Sequence, residues 1–192
     1  MVKEKKPLPE LRECLKTDCK NDLHCFRQKE RRKPGQILKG QGCYACGVEQ
    51  VDWQLVYRRD ISKAEETFDY MKKEWIRNKY WSREIDAEAM QHAKKIGKNG
   101  MATAITKRIK QSVTNGRPFN DGGQTAEDGD ILCYAQHATA SCCRKCIEYW
   151  HGIPAGKDLT ADEADYLKKL MLLYIDARLP NLNEVGLKIT KR

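Results

Sequence analysis

The chain has 192 residues, 33% of them charged and 40% apolar, with a formal net charge of +9 and a sequence pI of about 9.1. That length suits one or two small domains around a modest core. The charge favours an anionic partner, nucleic acid being the commonest, and the longest apolar run near the end, LMLLYI at 170–175, is far too short to span a membrane.

The N-terminus, MVKEKKPLPE, is charged and has no apolar h-region, so it does not read as a signal peptide and a cytoplasmic protein is expected. Residues 1–40 form a basic arm that nevertheless contains Cys14, Cys19, Cys25 and His24, and so should be pinned to something. Arg27, Arg31, Arg32 and Lys33 make its basic part. The turn-rich stretch GQGCYACGVEQ (40–50) follows and opens a second segment, 41–116.

Ser62 and Glu65 have capping-box spacing, with Asp60 just before them. Ile61, Ala64, Phe68, Met71 and Trp75 then predict one amphipathic helix running to about residue 81. Further helices are expected over 84–96 and 101–114, separated by GKNG at 97–100. NGRPFNDGGQTAEDGD (115–130) reads as loop. ILCYAQHA (131–138) is a strand candidate, with Cys133 as core. A helix is expected from about Cys143 to Gly152, and a last one opens on the capping box Thr160/Glu163 and closes before Pro180. The fold class is therefore mainly α with a small β element, and 117–192 forms a Cys-rich C-terminal domain.

Nine cysteines in a reducing compartment favour metal ligands or catalytic groups over disulfides. Cys43-Tyr-Ala-Cys46-Gly47 has the build of a zinc knuckle, with the glycine free to take a positive φ. Cys143-Arg-Lys-Cys146 is a second C-x-x-C at a helix start, where first-turn N–H groups favour thiolate. Together the two pairs would make a closed four-thiolate zinc site in a treble-clef-like core, interrupted by a helical insertion of about a hundred residues. A redox pair or an iron–sulfur cluster would use the same thiols, but neither has its usual sequence context here. Cys142 lies four residues before Cys146 and could replace Cys143; a second site could draw on Cys14, Cys19, Cys25 and His24, or on His137.

Within the C-terminal segment, Gln136-His137-Ala138-Thr139-Ala140 leads into Cys142-Cys143-Arg144-Lys145-Cys146, then Trp150-His151-Gly152-Ile153 and a terminal helix. This block, over roughly 117–179, is similar to a bacterial and phage family known only as a domain of unknown function. The resemblance implies only that residues 137–152 are the centre of whatever the fold does; a part in a bacterial or phage multi-protein system is the expectation for the protein as a whole. The resemblance brings no reaction with it. The sequence departs from the family at EDGDILCYAQHA, where a Gly-His-Pro lead would stand.

A metal-dependent nuclease would need a general-base histidine after the knuckle, and GVEQVDWQLVYRRD offers Asp52 and Asp60 but no histidine. His137 and His151 could flank an open zinc position, although four thiolates would fill the shell; the expectation for His151 is a helix-end imidazolium that favours the C-terminal dipole. For nucleic acid, residues 89–113 match a helix-turn-helix poorly, because His92 and Lys98 stand where apolar residues should pack. Lys94, Lys95, Lys98, Lys107, Arg108 and Lys110 could still form a phosphate-contacting face, with Tyr80 and Trp81 as stacking candidates. The expectation is a Zn2+-stabilised basic protein that binds DNA or RNA or a nucleoprotein partner. The alternatives are a metal-dependent enzyme on nucleic acid or nucleotide, and a protein–protein adaptor.

Overall fold

The computed structural model describes residues 11–27, 39–118 and 125–187. Among them the fold is mainly helical. The α-helices are α1 (Trp53–Arg58), α2 (Ala64–Met71), α3 (Trp75–Ser82), α4 (Ala87–Ser112), α5 (Ile131–Ala138), α6 (Arg144–His151) and α7 (Ala161–Arg178), with short 3-10 turns at Leu11–Leu15, Cys19–Asn21 and Ile61–Lys63. Extended pairing among the described residues is limited to two isolated bridges, Asp18 with Leu23 and His24 with Glu74. No helix among them is long and apolar enough to cross a membrane.

The helix expected over 61–81 is instead two helices. His24 is the cause: its N–H donates to the Lys73 carbonyl (2.8 Å), and its carbonyl accepts from Trp75 N–H (2.8 Å). Those two groups are thereby taken from a continuous helix, and Glu74 turns extended between α2 and α3. The capping box at Ser62/Glu65 does not form either. Asp60 accepts from both the backbone N–H and the hydroxyl of Ser62 and caps the 3-10 turn.

Residues 131–138 form helix α5, not a strand. Asp130 caps it by accepting from Leu132 N–H (2.8 Å), and all eight residues are buried. A short run that is apolar on every side suits a core helix as well as a strand, and periodicity does not separate them.

The pair of helices expected around GKNG is realised as α4, interrupted at Gly97 (φ 68°, ψ 166°). Ala89, Ala93, Met101, Ile105 and Ile109 are its buried stripe. The C-terminal segment knits the interruption together: Lys98 and Asn99 N–H donate to the Asn183 and Glu184 carbonyls (2.9 and 3.0 Å), and Leu187 N–H donates to Lys94 (3.0 Å). A Cβ on Gly97 would stand 2.4 Å from Gly186 N, so this approach requires glycine.

The last two helices follow the expected signals. Helix α6 starts at N-cap Cys143 and ends at Gly152 (φ 65°). Helix α7 opens with both halves of the Thr160/Glu163 capping box. Helix α3 packs on α5, and α4 and α5 pack on α7, so the segments on either side of residue 116 share one core. Phe26 joins that core from the N-terminal side, edge-on to Trp53 and Trp150.

Candidate metal centre

Two clusters of metal-ligating side chains stand out among the described residues. In one, the ligand atoms of Cys19, His24, Cys43 and Cys46 all lie within 4.8 Å of one another; in the other, those of Cys142, Cys143 and Cys146 do so. Either could hold a metal ion. The two C-x-x-C pairs therefore do not share one site. Cys43 and Cys46 meet Cys19 and His24, and Cys143 and Cys146 meet Cys142. The treble-clef arrangement joining the first pair to the helix-start pair is not what this geometry gives.

The first cluster is assembled by backbone. Asp18 and Leu23 exchange hydrogen bonds (2.7 and 3.0 Å) across a tight loop that ends in Asp22 at φ 59°, which sets Cys19 beside His24. The knuckle is closed by Gly47 N–H donating to Cys43 O (2.7 Å) and Cys43 N–H donating to Val48 O (2.8 Å), with Gly47 at φ 79° as expected. Tyr44 and Gln41 N–H donate to Cys25 and Phe26 carbonyls (both 3.1 Å), which lays the knuckle against the segment that follows His24.

Within this cluster Cys19 Sγ lies 3.8 Å from Cys43 Sγ, and Cys46 Sγ lies 3.5 Å from His24 Nδ1. The other ring nitrogen, Nε2, is 3.0 Å from Asp22 Oδ1. Asp22 is itself anchored by Gln50 and Lys73, which hold its carboxyl below the usual range. Burial pushes the Cys43 thiol up, but N–H donors from Cys25, Ala45 and Cys46 outweigh it and bring the group to about 6. Burial raises Cys19 to about 11.

Cys25 is excluded from the site. It is buried, its thiol donates to the Cys14 carbonyl (3.4 Å), and burial pushes it up to about 12. Cys14 also lies outside the first cluster. The histidine, not its cysteine neighbour, is the ligand-ready residue, and its spacing to the knuckle is much shorter than the hundred residues between the two C-x-x-C pairs. That C-x4-H followed by C-x2-C was the available sequence signal.

The second cluster sits at the start of α6. Cys143 is the N-cap and Cys146 the N3 residue, positions from which each side chain can reach the other's backbone, and their sulfurs lie within 4.8 Å of each other. Fully buried Arg77 donates from one guanidinium nitrogen to Cys146 Sγ (3.2 Å), and its other terminal nitrogen lies 3.9 Å from Cys142 Sγ.

His137 and His151 join neither cluster. His137 Nε2 lies 3.0 Å from the Thr125 carbonyl, and its ring stacks on Tyr80 at 4.4 Å. His151 Nε2 lies 3.1 Å from the Thr139 carbonyl. Burial holds both at about 4, so the helix-end imidazolium expected for His151 is a neutral ring instead. Asp52 and Asp60 are helix-capping residues, the first accepting from Leu55 N–H.

Of the basic candidates, Lys94, Lys95, Lys107 and Lys110 are exposed on α4. Lys98 donates to the Pro180 carbonyl (3.0 Å), and Arg108 is paired with Asp130 and reaches Cys133 Sγ (3.6 Å). Cys133 is buried, as expected for core. Tyr80 is buried, and Trp81 packs on Phe68 and Tyr174, which removes both as stacking platforms. Arg31, Arg32 and Lys33 lie outside the described residues.

A family model described as a domain of unknown function, DUF4186, matches residues 65–176. The chain belongs to that family. The DUF4186 segment begins well before residue 117, where the sequence resemblance started, and takes in α3, α4 and the whole second cluster with Arg77. Cys19, His24, Cys43 and Cys46 all lie ahead of it. No solved structure matches the fold.

Proposed function

We propose that this is a zinc-stabilised basic protein in which Cys19, His24, Cys43 and Cys46 hold one structural ion and α4 meets a nucleic-acid backbone. The convergence of those four donors carries the zinc reading. Tetrahedral zinc, with Zn–S about 2.3 Å and Zn–N about 2.0–2.1 Å, has an S···S edge of about 3.8 Å and an S···N edge of about 3.6 Å. In the fold, Cys19 Sγ to Cys43 Sγ is 3.8 Å and Cys46 Sγ to His24 Nδ1 is 3.5 Å. Asp22 supplies the carboxylate that commonly orients a ligating histidine through its second nitrogen. Four protein donors complete the shell and leave no place for an activated water, so the ion would serve as a cross-link.

What it would cross-link is the segment carrying Cys19 and His24 to the knuckle at 43–47. Structural zinc contributes on the order of 10–16 kcal/mol in small peptides. Elemental analysis of the purified protein should find at least one equivalent of zinc. Cys46→Ser should carry one equivalent less, with proteolytic cleavage appearing within residues 11–27. Unchanged zinc in both Cys43→Ser and Cys46→Ser would sink the reading.

The nucleic-acid reading is supported by charge distribution. Between Glu88 and Asp121 stand Lys94, Lys95, Lys98, Lys107, Arg108, Lys110 and Arg117, with no acidic residue among them. Such a field attracts polyanions without sequence preference. Arg108 is committed to Asp130, so the informative variant is Lys107→Gln with Lys110→Gln. It should weaken DNA or RNA binding for every sequence tried and flatten the log–log salt slope by about 0.7–0.9 per lost phosphate contact. A slope that does not move takes α4 off the contact surface and favours a protein–protein adaptor.

A further inference from the structure

Arg77 is a costly residue in its position. It lies on α3 with 1% exposure, and Glu74, its ion-pair partner (2.9 Å), is already served by Tyr149 Oη and Trp150 Nε1. The remaining guanidinium N–H groups are turned to the His137 carbonyl and to the sulfurs of Cys142 and Cys146. A thiol is a poor acceptor for a buried guanidinium, whereas a thiolate is a strong one. A divalent ion held by three or four thiolates is a net anion, and a buried anion needs a countercharge with N–H···S contacts. Arg77 provides both.

The sulfurs themselves are spaced for one ion. All three lie within 4.8 Å of one another, and a metal–sulfur bond of about 2.3 Å places tetrahedral ligands about 3.8 Å apart. Cys142 and Cys146 are buried, and Cys143 is half-buried. The N-cap and N3 positions of α6 bring two of the sulfurs together at the positive end of the helix.

Three thiolates leave a fourth position. Among the nearby donors, His137 has its Nε2 at the Thr125 carbonyl and its ring flat on Tyr80. The Cys25 thiol is given to the Cys14 carbonyl. The Cys14 thiol remains. Its turn, Leu11–Leu15, packs on α3, with Glu13 accepting from Lys79 (2.6 Å). Cys14 is half-buried against the core and lies outside the group of three sulfurs that fall within 4.8 Å of one another, so its turn would have to close on α6 as the ion binds.

We infer that Cys142, Cys143 and Cys146 form a second, separate site for a single thiophilic divalent ion of zinc's class, with Cys14 as its fourth ligand and Arg77 as its buried counterion. The inference does not rest on the first site. It makes the N-terminal segment doubly fastened, once to the knuckle and once to the DUF4186 helices.

The test uses the full chain, purified under reductant and exchanged with cadmium-113. Two metal equivalents are expected, with two cadmium resonances: one of four-sulfur type, and one shifted toward three sulfurs and a nitrogen. Cys146→Ser should remove the four-sulfur resonance and one equivalent. Cys14→Ser should keep the ion but move that resonance upfield. The wild-type spectrum alone separates the two readings, should a variant fail to fold. A four-sulfur signal without the mixed one upholds this site and removes the first; the mixed signal without the four-sulfur one does the reverse. A four-sulfur resonance indifferent to Cys14→Ser overturns the role of Cys14. A disulfide among Cys142, Cys143 and Cys146 that persists under reductant overturns the site.

Discussion

Glu74 gathers three donors at the centre of the molecule. Arg77 Nε and Trp150 Nε1 both donate to one carboxylate oxygen (2.9 and 2.6 Å), and Tyr149 Oη donates to the other. It is 0% exposed, so its charge is kept by these partners and not by water. Breaking a buried pair by removing one partner leaves the other charge uncompensated, at a cost of about 3–5 kcal/mol. Glu74→Gln should therefore lower the urea unfolding free energy by about that much. The amide would also turn donor against donor, at Arg77 or at an aromatic partner. A loss below about 1 kcal/mol would show that Arg77 finds its compensation elsewhere, the cysteine sulfurs being the nearest acceptors. None of this was legible in the sequence. Glu74 and Arg77 read as ordinary charged residues on a helix, since the distant partners that bury them lie sixty or more residues away. His24 and Cys19 were legible as candidate ligands beside Cys14 and Cys25, but their union with the knuckle was not, and the choice between His24 and Cys25 depends on which side of an extended segment faces the knuckle.

At the level of elements, the signals that are local in origin survived. The Thr160/Glu163 box, the Gly152 stop, the Gly47 turn and the break at Gly97 each depend on a few adjacent residues, and each is present. The failures have a common physical form, in which a distant segment took over a backbone group or a face. His24 claimed the Lys73 carbonyl and the Trp75 N–H and split the 61–81 helix. Helix α5 is buried on all sides, between α3, α4 and α7, so its apolar run had no polar face to reveal a 3.6-residue period. The metal clusters divide in the same way. Cys43–Cys46 and Cys143–Cys146 were recognisable as pairs from spacing, but their partners are set by tertiary placement. Cys19 and His24 come from a 3-10 turn and the bridge that follows it, elements too short for sequence patterns to position.

Across the whole molecule, the two histidines removed from the metal clusters act together as an acid-sensitive feature. His137 and His151 are buried and held at about 4, against an ordinary value of 6.5. Burial is the main cause for both, with Arg77 adding to it and the carbonyl contacts of Thr125 and Thr139 opposing. The folded protein therefore refuses protons that the unfolded chain accepts. Their contribution is complete above pH 6.5 and is lost progressively as pH falls from 6.5 to 4. A shift of that size corresponds to about 3 kcal/mol per histidine. Metal release would add its own acid sensitivity, so the discriminating measurement is a difference. His151→Gln keeps a donor for the Thr139 carbonyl and a comparable fit against Tyr166, but cannot titrate. Between pH 6 and 4.5, the slope of unfolding free energy against pH should be shallower in the variant than in the parent by about 1.4 kcal/mol per pH unit, the value for one proton. Parallel slopes would mean that His151 is protonated in the folded state, and the neutral buried ring described here would have to be abandoned.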